Sequence, residues 1–140
     1  MNSKYLFGLC AEYAAALKNK ENALTIECVF VNKKEAMGGG LVHAYCRNKN
    51  GDYIDCRGIT PKTEKESFFS VFMYSNLILG KDLRPYEKDC NLLVERFSSV
   101  EAFSNRLYNY FKNGTVYYDE EEDIEYTVPY EFHNGKFVEL

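Results

Sequence analysis

The chain has no tryptophan, only three prolines and two histidines, and no long uninterrupted apolar run. Its richest apolar stretches, Ala23 to Val31 and Phe68 to Leu79, are short or broken by polar residues. A bilayer-crossing helix needs about 20 apolar residues in succession, so no membrane span is predicted. Before Glu12 the N-terminus offers one lysine and then Tyr5-Leu6-Phe7, which lacks the apolar core of a secretory signal. A cytoplasmic setting is therefore expected. Lys and Arg number 17 against 21 Asp and Glu, for a net charge of -4. That balance argues against nucleic acid, whose phosphates are bound by clustered cations that displace counterions.

Disulfide and zinc signatures are missing too. The five cysteines are an odd number, and none falls in a CxxC pair. They read as free thiols in a reducing compartment. Cys10, His43, Cys46, Asp55 and Cys56 contain metal-ligating atoms, but His43 and Cys46 are three apart on one predicted strand and point to opposite faces. No metal and no cofactor are expected, and the sequence leaves the oligomeric state open.

What is present suits one packed domain spanning 1–140. Hydrophobic residues make up 46% of the chain, with twelve Tyr and ten Phe, so the core should be rich in aromatic rings. Cys10, Ala14 and Leu17, with Leu6 and Tyr13 alongside, recur at helical spacing, predicting a helix over about 8–19 that the polar run Lys18 to Asn22 ends. A strand follows over Ala23 to Val31. Gly38-Gly39-Gly40 closes a loop, and a second strand opens at Leu41. Thr60-Pro61 reads as a helix start, with the helix running through Phe68 to Leu79 and ending at Gly80. Pro85 breaks the chain again. Ser98-Ser99-Val100-Glu101 is a capping-box pattern ahead of a helix over about 99–112, with Gly114 as terminator. Tyr126 to Phe132 and Lys136 to Leu140 flank His133-Asn134-Gly135 as a last hairpin, with Pro129 marking an edge.

Two strands, Leu41 to Arg47 and Asp52 to Arg57, flank Lys49-Asn50-Gly51. A three-residue loop there sets Tyr45 opposite Asp55 and His43 opposite Arg57. His43 and Asp55 then share a face as diagonal neighbours, about 7–8 Å between backbones and within side-chain reach. A two-residue loop would place them on opposite faces. Cys10, near a helix N-terminus, gains from the helix dipole and the free backbone N–H groups, which favour a thiolate. A thiol, an imidazole and a carboxylate that fixes the imidazole's tautomer are the parts of thiol-dependent acyl transfer.

The run Gly8-Leu9-Cys10-Ala11-Glu12-Tyr13-Ala14, the His43-Ala44-Tyr45 strand and the run Gly51-Asp52-Tyr53-Ile54-Asp55-Cys56-Arg57-Gly58 together resemble small papain-fold or transglutaminase-like cysteine enzymes. The resemblance covers about residues 8–60. It implies an α+β papain-like fold: an N-terminal helix packed on an antiparallel sheet, with additional helices and a C-terminal hairpin outside it. It also implies a catalytic Cys10, His43 and Asp55, acting on a protein substrate by peptide or amide hydrolysis, deamidation or cross-linking. For the oxyanion the sequence offers the Cys10 backbone N–H, with Asn2 and Ser3 as upstream side chains.

Two plainer readings stand beside this one. Cysteine is among the most buried residue types, so Cys10 can be a core residue, as Cys28, Cys46, Cys56 and Cys90 are expected to be, with His133 in a loop. The run from Asp119 to Asp123, flanked by Tyr117, Tyr118 and Tyr126, is a solvated loop or an acidic, Tyr-rich surface for a basic protein partner. On that second reading the chain is a non-catalytic inhibitor of the kind found in phage and bacteria.

Overall fold

The computed structural model describes residues 9–33, 40–112, 116–119, 124–127 and 130–139. It is an α+β arrangement built on an antiparallel five-stranded sheet. Helix α1 (Cys10–Lys20) leads into β1 (Thr25–Lys33), β2 (Gly40–Arg47), β3 (Tyr53–Asp55) and β4 (Gly58–Thr60). Two short helices, α2 (Lys65–Phe69) and α3 (Ser75–Ile78), precede β5 (Cys90–Phe97), followed by α4 (Val100–Lys112). Two ladders complete the described chain: β6 (Val116–Asp119) with β7 (Ile124–Thr127), and β8 (Tyr130–His133) with β9 (Lys136–Glu139). No helix among the described residues is long and apolar enough to cross a membrane.

Strand order β4-β3-β2-β1-β5 makes β1 and β2 the centre, and both faces of that centre are covered. On one face Ile26, Cys28 and Phe30 of β1 and Ala44 and Cys46 of β2 meet Cys10, Ala11, Ala14 and Ala15 of α1, together with Phe103, Leu107 and Phe132. On the other, Val29, Tyr45 and Tyr53 meet Phe68, Phe69, Phe72 and Ile78. Small alanines on α1 let the helix lie close to the sheet. The opposite face is filled by rings at centroid spacings between 4.2 and 6.4 Å, each edge or stacked pair contributing about 0.5–1.5 kcal/mol beyond burial.

The loop between β2 and β3 is the expected one. The register Cys46↔Ile54 and Arg47↔Tyr53 continues into a bond from Asn48 N–H to the Asp52 carbonyl (3.3 Å), leaving Lys49, Asn50 and Gly51 as the loop. The Asn48 side chain accepts from the N–H groups of Asn50 and Asp52 at 3.0 Å each, and Gly51 supplies the positive φ of 84°.

Several expected elements are redrawn. The strand read as Asp52 to Arg57 stops at Asp55, because Gly58, at φ 102°, reverses the chain into β4 with Asp55 opposite Gly58. Thr60 is the last residue of β4 rather than a helix cap. The helix expected to reach Leu79 is interrupted: Tyr74 sits in the left-handed region at φ 64°, a conformation a helix cannot contain. The cap of α4 is Ser99, whose hydroxyl accepts from Ala102 N–H at 3.1 Å, one residue later than the capping-box pattern placed it. Strand β5 carries no sequence signal that would have named it. Its apolar residues Leu92, Leu93 and Val94 run consecutively instead of alternating, since it is an outer strand exposed at all three positions. Residues 126–132 are divided between β7 and β8, and Pro129, like Gly38, Gly39 and Gly114, lies outside the described residues.

The C-terminal hairpin is part of the core, not an addition outside it. Phe132 is fully buried among Phe103 and Phe137. Gly135 N–H donates to the Ser104 hydroxyl (2.8 Å), and Phe137 N–H donates to the Glu12 carboxylate (2.8 Å). Gly135 lies at φ 80°, and a Cβ there would sit 2.8 Å from the Ala15 Cβ. Gly135→Ala is therefore expected to destabilise the fold by more than about 1 kcal/mol, because it adds left-handed strain to a clash with α1. Urea unfolding of the variant measures this, and a midpoint unchanged from wild type would contradict the docked hairpin.

Candidate functional site

The expected register brings His43 and Asp55 together. Cross-strand pairing of β1 with β2 runs Cys28↔Ala44 and Val29↔His43, then shifts to Phe30↔Leu41, leaving Val42 as the extra residue of a β-bulge. Bulges re-aim side chains. Here Val42 and His43 both turn to the aromatic face, while Leu41 and Ala44 belong to the α1 face. The imidazole is fully buried, stacked on Phe72 at 4.2 Å between centroids and flanked by Tyr45 and Phe68.

Its Nε2 lies 2.9 Å from Asp55 Oδ2. Asp55 is 3% exposed and accepts in addition from Arg57: the backbone N–H at 2.9 Å onto Oδ1, Nε at 3.2 Å onto Oδ1 and 3.1 Å onto Oδ2, and an Nη at 2.8 Å onto Oδ2. Burial alone would push this carboxyl up. The bonds from His43 and Arg57 outweigh it and bring the carboxyl down to about 2. The magnitudes agree, since burying an ion costs several kcal/mol and each hydrogen bond to a charged group returns about 1.5–3. An ionised carboxylate has no proton to give, so Nε2 carries the hydrogen and Nδ1 the lone pair. That Nδ1 is buried and has no hydrogen-bond partner among the described residues.

Burial lowers the pKa of His43, and the bond to Asp55 only partly opposes this. With Arg57 already balancing the carboxylate, the imidazole is neutral.

Cys10 is the first residue of α1, as the sequence indicated, but it approaches β2 from the other side. It packs with Ala44 and Cys28 on the α1 face, while the His43 ring lies on the aromatic face. No thiol–imidazole hydrogen bond is formed, and the expected arrangement of Cys10 facing both partners is corrected to this extent. Burial raises the thiol to about 11, against which the N–H of Ala44 and those of Ala11 and Cys10 at the start of the helix act as weaker stabilisers of a thiolate. The thiol thus meets the backbone at the residue next to His43. Asn2 and Ser3 lie outside the described residues.

Three other expectations are settled in place. Cys28, Cys46 and Cys90 are buried, the Cys46 thiol turning to the Ala14 carbonyl (3.4 Å). Cys56, expected in the core, is only half-buried because it falls in the turn between β3 and β4. His133 ends β8, exposed, with Nε2 2.8 Å from Glu131.

Sequence reasoning missed Arg57 and Phe72. Arg57 had a legible signal, since Asp followed two residues later by a turn N–H is a common side-chain-to-backbone pattern. Phe72 had none, because only the break after Phe69 aims its ring at His43.

A neutral buried imidazole has a pH consequence. The folded pKa of His43 is below its ordinary 6.5, so below that pH the unfolded chain binds the proton first and stability falls as pH falls. Urea unfolding between pH 7.5 and 5 should show wild type losing more stability than His43→Gln; parallel profiles would mean that His43 takes up its proton as readily in the fold as in the unfolded chain. No family model, no curated protein and no solved structure matches this chain.

Proposed function

We propose that the chain is a cysteine-type acyl-transfer enzyme on a reduced papain-like scaffold, acting on peptide or side-chain amides through Cys10, His43 and Asp55. One observation carries this reading: a buried imidazole whose Nε2 is held by an ionised carboxylate while its Nδ1, one residue along β2 from the backbone that meets the Cys10 thiol, is unpartnered. An orphaned buried ring nitrogen costs about 1–3 kcal/mol and calls for a reason. Proton acceptance supplies one.

With a thiol near 11 and a neutral imidazole, no thiolate–imidazolium pair waits at rest. Deprotonation accompanies attack. Attack requires the thiol to leave the α1 face and reach the His43 side of β2; the S–H proton then passes to Nδ1 while sulfur bonds to the carbonyl carbon, whose π electrons move to oxygen. The backbone N–H of Cys10 is one donor to that oxyanion. On collapse the C–N bond breaks, the amine leaves with the proton from Nδ1, and an acyl-cysteine remains. Water then gives hydrolysis or deamidation, and an amine gives cross-linking.

The test is acylation by an activated ester such as p-nitrophenyl acetate, followed by intact mass and peptide mapping. Acyl group is expected on Cys10, none in Cys10→Ala, and a rate lower by roughly 10³–10⁴ in Asp55→Asn, where tautomer control is lost. Labelling that settles on the half-buried Cys56, or is indifferent to His43→Gln, would sink the reading.

A second reading is favoured by a different observation. Cys10 is buried on the far side of β2 from the His43 ring, which is also how a purely structural cysteine sits. On this reading the chain is a binding protein for a basic partner. The β6–β7 ladder sets Tyr117 opposite Tyr126 and brackets the acidic run, of which Glu120 to Asp123 lie outside the described residues. Replacing Glu120, Glu121 and Glu122 with Gln should leave Cys10 acylation intact if the chain is an enzyme. For a docking protein, the same change would weaken capture of a basic polypeptide and flatten its salt dependence.

A further inference from the structure

The guanidinium of Arg57 does more than balance a charge. Its Nε and one Nη form a fork on both oxygens of Asp55, the same Nη donates to the Phe68 carbonyl at 2.9 Å, and the group lies over the rings of Phe68 and Phe72 at 4.6 and 5.2 Å. Phe72 is the ring stacked on His43. One planar cation thus touches the carboxylate that holds the imidazole and the two aromatic residues that cover it. It also ties the β3–β4 turn to the end of α2.

We propose that Arg57 is a positioning residue for His43: it fixes the rotation of the Asp55 carboxylate and the seat of Phe72 together, so that Nε2 stays the protonated nitrogen and Nδ1 stays free. Without the fork, Asp55 keeps the Arg57 backbone N–H on Oδ1, and the carboxylate can turn Oδ2 away from Nε2. The neutral ring then keeps only its weak intrinsic tautomer preference, and both forms are populated. Lysine cannot stand in, because its ammonium is a point donor and cannot grip two oxygens and a carbonyl in one plane. The inference rests on the acyl-transfer reading only for what the free nitrogen accomplishes; the fixed tautomer is observable without turnover.

The experiment is long-range ¹H–¹⁵N spectroscopy of ¹⁵N-histidine protein above pH 7, with His43 assigned by comparison with His43→Gln. Wild type is expected to show a single neutral tautomer with Nε2 protonated. Arg57→Gln and Arg57→Lys should both lose that pattern and give mixed-tautomer shifts. If Arg57→Gln fails to fold, Arg57→Lys, which keeps the charge and much of the aliphatic stem, carries the test. A wild-type ring protonated at Nδ1 overturns the proposal, as does either folded variant with wild-type ¹⁵N shifts, even if its melting temperature has fallen. Failure of Cys10 acylation with the tautomer pattern as expected would defeat the acyl-transfer reading and leave the role of Arg57 standing.

Discussion

Asp55 is a carboxylate taken almost wholly out of water, and the arrangement around it follows from the need to keep it charged there. Four donor groups converge on two oxygens: the His43 ring, and the backbone N–H, Nε and an Nη of Arg57. Supplying them requires a tight β3–β4 turn so that Arg57 can fold back, and a β2 register that delivers His43 to the same face. Loss of any one would leave a buried charge partly unpaired, at a cost of several kcal/mol.

A second carboxylate on the same face is handled in the same way. Glu27 of β1, 3% exposed, accepts from the Tyr45 hydroxyl and from Arg96 at 2.6 Å, with Arg47 at 3.6 Å. Burial and Glu27 together hold the Tyr45 hydroxyl protonated, far above its ordinary range. The aromatic face is therefore an apolar layer pinned by two ion-paired carboxylates, one at the Glu27 side and one beneath His43. Between them the rings of Tyr45, Tyr53, Phe68 and Phe69 pack at centroid distances of 4.6–5.8 Å.

The α1 face has the opposite character. Small side chains of α1 and β2 meet Phe103, Leu107 and Phe132 there, the helix start supplies N–H groups to Cys10, and burial keeps its thiols protonated: Cys46 is pushed up to about 12 and Cys28 also rises. Strand β2 is the boundary between a ring-lined layer pinned by ion-paired carboxylates and a thiol-lined one. His43 and Cys10 touch that boundary from its two sides, at neighbouring backbone positions.

By itself the sequence determined what depends on near neighbours. The helix beginning at Cys10, the three-residue loop set by Asn48 and Gly51, the register that pairs His43 with Asp55, and the helix over Val100–Lys112 all rest on local spacing, turn chemistry and capping. Those signals span a few residues and are readable in one dimension. Only the tertiary structure decided which side of β2 receives α1. A period-2 pattern shows that residues 43 and 44 face opposite ways, yet says nothing about which layer covers each, and the bulge at Val42 alters the alternation locally. The same holds for Phe72 and β5. The first is placed by the end of α2 at Phe69, which no residue type announces, and the second by pairing with a strand more than 50 residues earlier, where long-range ladder bonds outweigh weak local preference.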